Sequence, residues 1–415
     1  MRLLVVGSGG REHALVRTFA ADPDVSELHA APGNPGIAEL AYVHRVPAVD
    51  DVPAVVALAA HVAADLVVVG PEAPLVAGLA DALRERGVAC FGPSAAAATL
   101  EGSKAFAKDV MTAAGVPTAA AHTCETPAEV AKALDAFGPP YVVKQDGLAA
   151  GKGVVVTPDA AVAAAHAAAA GRVVVEEYLD GPEVSLFAIT DGTTVVPLPP
   201  AQDFKRALDG DEGPNTGGMG AYSPLPWTPD SLVDDVVARV VQPTVDEMRR
   251  RGTPFAGLLY TGLALTANGP RVVEFNCRLG DPDGQVVLAR LRSPLAPAVH
   301  AAAVGDLASA DSLDWSSDAA VTVVVAARNY PGTPVSGTPI HGLAEAGAVP
   351  DAYVLHAGTR RDGESLVTAG GRVLDVVATG QTLADARRTA YDAVSRIRIE
   401  GSHHRKDIAE AAAGG

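Results

Sequence analysis

Tyr141-Val142-Val143-Lys144-Gln145-Asp146-Gly147-Leu148-Ala149-Ala150-Gly151-Lys152-Gly153 runs from a short apolar strand into a glycine-rich turn that carries a lysine. Such a turn lets backbone N–H groups approach an anion closely, and the lysines supply charge. The spacing is not that of a Walker A loop, which has four residues between its glycines and Ser or Thr after the lysine. Here three residues separate Gly147 from Gly151, and Gly153 follows Lys152. Two readings remain for the segment by itself: a loop that covers phosphate, or a plain hairpin turn with solvated lysines.

N-terminal to this stretch, Leu3-Leu4-Val5-Val6 and Leu66-Val67-Val68-Val69 are continuous apolar runs of the kind found in buried parallel strands. Each ends in turn chemistry, Gly7-Ser8-Gly9-Gly10 and Gly70-Pro71, and residues 73–87 read as one helix. This βα repetition predicts a doubly wound sheet. Gly92-Pro93-Ser94 marks a boundary, and a helix bearing Lys104 and Lys108 follows. Short Val-rich strands between 141 and about 198, with an Ala-rich helix near 159–170, read as a small α+β lid. Residues 209–226 read as a Gly/Pro-rich loop before a helix near 230–251, strands at 258–266 and 271–275, and a last segment with strands at 321–326 and 373–378.

Composition narrows the class. The 415 residues are 48% hydrophobic and 20% charged, with a formal net charge of −17. That charge argues against broad nucleic-acid or anionic-membrane binding, although a local cluster of Lys and Arg can still hold a phosphate. Cys90, Cys124 and Cys277 form no C-x-x-C pair, so a reducing cytoplasm is expected rather than a disulfide framework. Met1-Arg2 leads straight into strand, and no signal peptide or membrane span is expected.

Four other stretches could carry chemistry. Glu274 and Asn276 are i and i+2 on a predicted strand, so both side chains face one side. Two hard oxygens there suit Mg2+, which takes one or two carboxylates plus phosphate oxygens; an edge strand with solvated polar groups is the alternative. The linker Glu176-Glu177-Tyr178-Leu179-Asp180-Gly181-Pro182-Glu183 could clasp an adenine edge and ribose hydroxyls, or be a plain acidic connection. Gly7-Ser8-Gly9-Gly10-Arg11 resembles a dinucleotide fingerprint but has Glu12 at the third glycine. It still opens a helix, where phosphate is favoured, and His13 beside it reads as a packed or capping residue. Gly213–Gly220 is too glycine-dense for helix or strand and could let backbone approach a small substrate.

Taken in order, GSGGREHAL (7–15), APGNPG (31–36), GPEAPLV (70–76), FGPS (91–94), EGSKAFAKD (101–109), DGLAAGKGV (146–154), EEYLDGPEVS (176–185), QDFKR (202–206), GPNTGGMGAYSP (213–224), EFNCRLGDPD (274–283), HAGT (356–359), GGRVL (370–374) and HRKDI (404–408) span nearly the whole chain. This ordered set resembles the glycinamide ribonucleotide synthetases, or phosphoribosylamine–glycine ligases, of the ATP-grasp superfamily. The resemblance implies an α/β ATP-grasp fold: an N-terminal doubly wound parallel-sheet domain at 1–102, an ATP-grasp domain at 103–317 with its lid at about 120–190, and a mixed α/β C-terminal domain at 318–415. It implies ligation of glycine to 5-phosphoribosylamine through glycyl phosphate, in purine biosynthesis, by a cytoplasmic monomer using ATP and Mg2+ or Mn2+.

On that pattern Lys104 and Lys144 contact ATP phosphates, and the loop with Gly147, Gly151, Lys152 and Gly153 covers them. Glu176 and the backbone of Glu177 and Leu179 hold adenine, Glu183 holds ribose, and Glu274 and Asn276 bind the metal. Gly9, Gly10, Arg11, Glu72 and Lys205 are assigned to phosphoribosylamine. Thr216, Gly217, Gly218, Met219, Arg278 and Asp281 lie near glycine and the acyl phosphate, with Arg278, Asp281 and Lys205 taken as catalytic. Three departures stand out. The family's usual R-F-G-D-P-E-T-Q reads Arg278-Leu279-Gly280-Asp281-Pro282-Asp283-Gly284-Gln285, Gln145 replaces a small or acidic residue, and the link from the Ala-rich helix to Val173 is short, which predicts a less complete lid. Two other readings stay in view at this point: a different ATP-grasp ligase, such as a carboxylase of a purine intermediate, and a nucleotide- or nicotinamide-binding protein built on the N-terminal glycine turn.

Overall fold

Leu3–Val6 and Leu66–Val69 form the middle of a five-stranded sheet in a computed structural model that describes residues 1–148 and 153–414. The order is Tyr42–Val43, Glu27–Pro32, Arg2–Gly7, Leu66–Val69, Ala89–Phe91, every pair parallel. Side chains alternate between two cores, Leu4, Val6, Val67 and Val69 on one face and Leu3, Val5, Leu66 and Val68 on the other. This two-sided burial explains the continuous apolar runs. The order reverses between Arg2–Gly7 and Leu66–Val69, and the crevice at the carboxyl ends of such strands is where doubly wound sheets bind ligands. Gly7–Gly10 and Gly70–Glu72 open there.

The expected helix at 73–87 is two helices, Glu72–Val76 and Leu79–Glu85. Gly78 between them has φ +88, a left-handed conformation that ends a helical turn.

The lid is a four-stranded antiparallel sheet, ordered Ala121–Cys124, Val173–Glu176, Tyr141–Gln145, Val154–Thr157. Helices Pro127–Phe137 and Ala160–Ala170 pack on it through a separate core with Val130, Leu134, Val143, Ala163 and Val175. The described part of the lid thus holds four strands and two helices, with Ala160–Ala170 leading through a short link into Val173–Glu176. Beneath it lies a second antiparallel sheet, Val195–Pro197, Glu183–Asp191, Ala256–Thr266, Gly269–Asn276.

The segment expected as a loop at 209–226 is partly strand. Arg206–Leu208 pairs with Glu212–Asn215, and Gly220–Ser223 joins a five-stranded sheet with Gln202–Asp203, Ala319–Ala326, Arg372–Gly380 and Ala352–His356. Glycine density misled here because partner strands, not local propensity, supply the hydrogen bonds. Among the described residues no helix is long and apolar enough to cross a membrane.

Candidate nucleotide and substrate site

The face between lid and second sheet gathers three lysines, two of them paired with one buried carboxylate. Glu176, at the end of its lid strand, is 3% exposed. Lys144 Nζ lies 2.8 Å from it and also donates to Val273 O at 2.8 Å. Lys108 Nζ lies 3.2 Å from Glu176 and donates to Thr118 Oγ1 and Ala119 O. Lys104 opens the helix Lys104–Ala114, capped by Ser103, and donates to Gly147 O at 3.0 Å. Asp146 ties this helix start to the turn by accepting from Ser103 Oγ and Ala105 N. Burial holds the Lys104 ammonium below the usual lysine range, with Glu274 opposing and Lys144 adding to it. Burial likewise pushes Lys108 down to about 8, against the pull of Glu176. Lysines held partly desolvated, two of them sharing Glu176, are relieved by an incoming polyanion. That chemistry fits a triphosphate.

The turn itself is described only at its ends. Gly147 and Gly153 flank it, whereas the expected contacts of Gly151 and Lys152 lie outside the described residues. In the linker, Glu177 N–H already donates to Ala120 O at 2.9 Å and its carboxylate pairs with Arg271. Leu179 N–H meets no acceptor among the described residues, which leaves it open to a ligand edge.

Glu274 and Asn276 close the strand Gly269–Asn276 and project to one side, with register partners Gly262 and Tyr260. The Glu274 side chain is a third exposed, and Lys205 Nζ at 3.9 Å is its ion-pair partner. With its amide turned to satisfy its neighbours, Asn276 donates to Phe275 O and Glu101 Oε1 at 3.1 Å, leaving its oxygen as acceptor. Among the described residues no group of three His, Cys, Asp or Glu is arranged to hold a metal. Two protein oxygens fit a cation that draws its other ligands from phosphates and water. Lys205 Nζ also pairs with Glu183, so the expected ribose and metal residues meet through one lysine.

A second constellation lies at the crevice of the parallel sheet. Arg278 pairs with Glu72 (3.2 Å) and Glu101 (3.3 Å); burial opposes its charge, but these carboxylates hold the guanidinium above its usual range. Arg11 is 8% exposed and turned inward, donating to Glu12 Oε1 at 2.7 Å and Leu279 O at 3.0 Å. These bonds fix its guanidinium beside the Gly9–Gly10 turn. Glu12 also accepts from Gly9 N, and it stands where a dinucleotide fingerprint has its third glycine, which disfavours that reading. His13, packed as expected, accepts from His356 N at 2.8 Å; burial first, and His356 second, lower its pKa to about 3.

Asp281 pairs with Arg372 (2.8 Å) and accepts from Gln285 Nε2 (2.7 Å). Burial favours its neutral form, but Arg372 and Arg11 hold its carboxyl below the usual range. Arg372 Nη1 also donates to Gly217 O and Asp281 O. Gly217 N donates to Tyr330 Oη, Gly218 N to Thr216 Oγ1, and Met219 is fully buried. The shortened Asp283 is 2% exposed and accepts from Gly284 N at its own helix start. Gln285 Nε2 reaches Asp375 as well (2.9 Å); burial and then Asp281 push that carboxyl up to about 7.

Glu101, Lys108, Arg372, Asp375 and Gln285 join these clusters although no local pattern points to a role for them. Glu101, Lys108 and Arg372 lay inside motifs quoted for the resemblance, EGSKAFAKD and GGRVL, and were legible there as charges. Asp375 had no local signal.

Three family models, all described as phosphoribosylglycinamide synthetase, match this chain: the N domain at residues 1–101, the ATP-grasp (A) domain at 102–284 and the C domain at 320–411. The chain is 68% identical over 416 residues to phosphoribosylamine–glycine ligase of Streptomyces coelicolor, covering 100% of both. It is 57% identical over 425 residues to that of Mycobacterium tuberculosis strain H37Rv, covering 100% of this chain and 99% of the relative. A crystal structure of phosphoribosylamine–glycine ligase from Thermotoga maritima is similar, with TM-score 0.85 and 33% identity over 98% of this chain and 100% of that one. The ADP complex of an N5-carboxyaminoimidazole ribonucleotide synthetase has TM-score 0.67 at 16% identity, covering 95% and 96%, a likeness of fold alone.

Proposed function

The chain belongs to the phosphoribosylglycinamide synthetase family, and from that premise we propose that it joins glycine to 5-phosphoribosylamine using ATP, giving glycinamide ribonucleotide, ADP and phosphate in purine biosynthesis. The observation that carries the reading is the end-to-end match to a phosphoribosylamine–glycine ligase at 68% identity. The cluster of lysines around Glu176, next to the Glu274–Asn276 strand end, supports it.

A glycine carboxylate oxygen attacks the γ-phosphorus of ATP, the bond to ADP breaks, and glycyl phosphate forms. The phosphoribosylamine nitrogen then attacks the acyl carbon, phosphate leaves, and the amine gives up a proton. Catalysis of phosphoryl transfer is mostly positioning and charge neutralisation, so no Ser or Cys nucleophile is needed. Lys104 and Lys144 would hold phosphate oxygens, under the turn from Gly147 to Gly153. Glu176, the backbone of Glu177 and Leu179, and Glu183 would hold the nucleoside. Glu274 and Asn276 would bind Mg2+, or Mn2+, which when bound offsets phosphate charge. Gly9, Gly10, Arg11, Glu72 and Lys205 would line the phosphoribosylamine side. The 216–219 backbone, Arg278 and Asp281 would surround glycine and the acyl phosphate, with Lys205, Arg278 and Asp281 as the catalytic groups. We place the enzyme in the cytoplasm, acting as a monomer.

The test is ADP release on mixing ATP, Mg2+ and glycine with phosphoribosylamine made in situ. Release should require both glycine and the amine. Glycine-independent ADP would sink the proposal.

A further inference from the structure

Arg405 heads the large side chains that are fully buried, at 1% exposure. Arginine is almost never buried unless paired. Its guanidinium donates to both Asp407 oxygens (2.8 and 2.6 Å), to Asp211 Oδ1 (2.7 Å) and to Arg206 O (3.2 Å). Its Cζ also stacks 4.8 Å from the Phe204 ring centroid. The neighbouring backbone joins in: Lys406 N donates to Asp209 Oδ1, and Gly210 N donates to Asp407 Oδ2. The segment 405–407 therefore grips the hairpin Arg206–Leu208/Glu212–Asn215 at its base and its tip.

Phe204 and Arg206, both touched by Arg405, flank Lys205. The Lys205 carbonyl is latched by Thr216, which donates to it through N (2.8 Å) and Oγ1 (2.9 Å). Just past the base of this hairpin Arg372 and Tyr330 hold Gly217 through its carbonyl and its N–H. The lysine side chain then reaches Glu183 and lies 3.9 Å from Glu274. One contact path thus runs from the C-terminal arginine to the predicted metal ligand and to the 216–219 backbone.

We propose that Arg405 is a positioning residue for the ligation, setting Lys205 against Glu274 and fixing the 216–219 backbone that receives glycine. The claim rests on the function proposed above. An ion cluster is a poor device for stability alone, because well-packed apolar residues often replace one at no loss. It does specify one arrangement, and reacting groups must be held to about 0.5 Å. Arginine is needed because only its planar fork serves Asp407 bidentately while reaching Asp211 and Arg206 O; a lysine ammonium cannot.

The experiment uses the full chain with Arg405→Lys and the milder Asp211→Asn, whose side chain is 69% exposed. ATP affinity is measured without the other substrates, alongside kcat, the KM for glycine and for phosphoribosylamine, and the thermal midpoint. The expected result is a kcat/KM for glycine lowered about 10- to 100-fold in Arg405→Lys, the scale of a 1 Å misplacement, with ATP affinity unchanged. Asp211→Asn should shift the same constants less. Folded variants with wild-type glycine constants, or losses that follow ATP affinity, overturn the claim. If Arg405→Lys does not fold, Asp211→Asn decides by the same split. The two readings fail differently: wild-type ADP release without glycine defeats the function, whereas variants matching a glycine-dependent wild type defeat only the positioning role.

Discussion

Lys144→Ala should separate nucleotide binding from glycine binding. Lys144 is 5% exposed and makes two contacts, to Val273 O and Glu176, both at 2.8 Å. Removing one partner of a buried ion pair costs about 3–5 kcal/mol. Glu176 keeps Lys108 at 3.2 Å, so the lower end, about 3 kcal/mol, is expected for folding. For the nucleotide, the loss of one charge-assisted hydrogen bond is worth about 1.5–3 kcal/mol. At about 1.4 kcal/mol per tenfold, ATP should bind about 10- to 150-fold more weakly. Calorimetric titration of ATP without glycine reads the affinity, a urea melt reads the stability, and steady-state kinetics give the KM of each substrate. Unchanged ATP affinity with a raised glycine KM would refute the phosphate role of Lys144. A melt displaced with no change in either constant would make it a structural lysine only.

Glu274→Ala should lower turnover by at least about 100-fold, since a metal ligand stabilises transition-state charge by several kcal/mol. Its melt should match wild type, because the side chain is a third exposed with its ion-pair partner at 3.9 Å; normal turnover at low Mg2+ would refute the metal assignment. Gly218 has φ +108, and a Cβ there would sit 2.3 Å from Pro282 Cδ. Gly218→Ala should destabilise by about 1–3 kcal/mol through overpacking and raise the glycine KM; an unshifted melt would contradict this. Asp375 titrates near 7 when folded but near the ordinary aspartate value, about 4, when unfolded. Between those values the unfolded state releases a proton that the folded state keeps, so wild type loses stability as pH rises through the window. Urea melts should show Asp375→Asn gaining on wild type from about pH 4 to 7 and levelling off above. A constant gap from pH 4 to 8 would refute the assignment.

The fold was legible where local pattern encodes it. Leu3–Val6 and Leu66–Val69 announce a two-sided parallel sheet because both faces of those strands are apolar. The 141–145 strand and its glycine turn excluded the Walker architecture, and the i, i+2 spacing of Glu274 and Asn276 put two oxygens on one side before any sheet was known. Residues 73–87 and 209–226 differ from the sequence pattern, since a left-handed Gly78, a three-residue strand in a tight hairpin and a strand paired with distant Ala319–Ala326 leave no periodic signal.

The order of short motifs along the chain was enough to determine the family, because each motif is a local run of residues whose chemistry needs no partner to be recognised. Which charges meet was settled only by tertiary packing. Lys144 finds Val273 O across 129 residues, Arg372 finds Asp281 across 91, and Arg405 finds Arg206 O across 199. An ion pair depends on strand register and on how one sheet lies over another, and neither quantity is written in the period of a single segment. The same physics explains Arg11, whose bond to Leu279 O joins residues 268 apart in sequence.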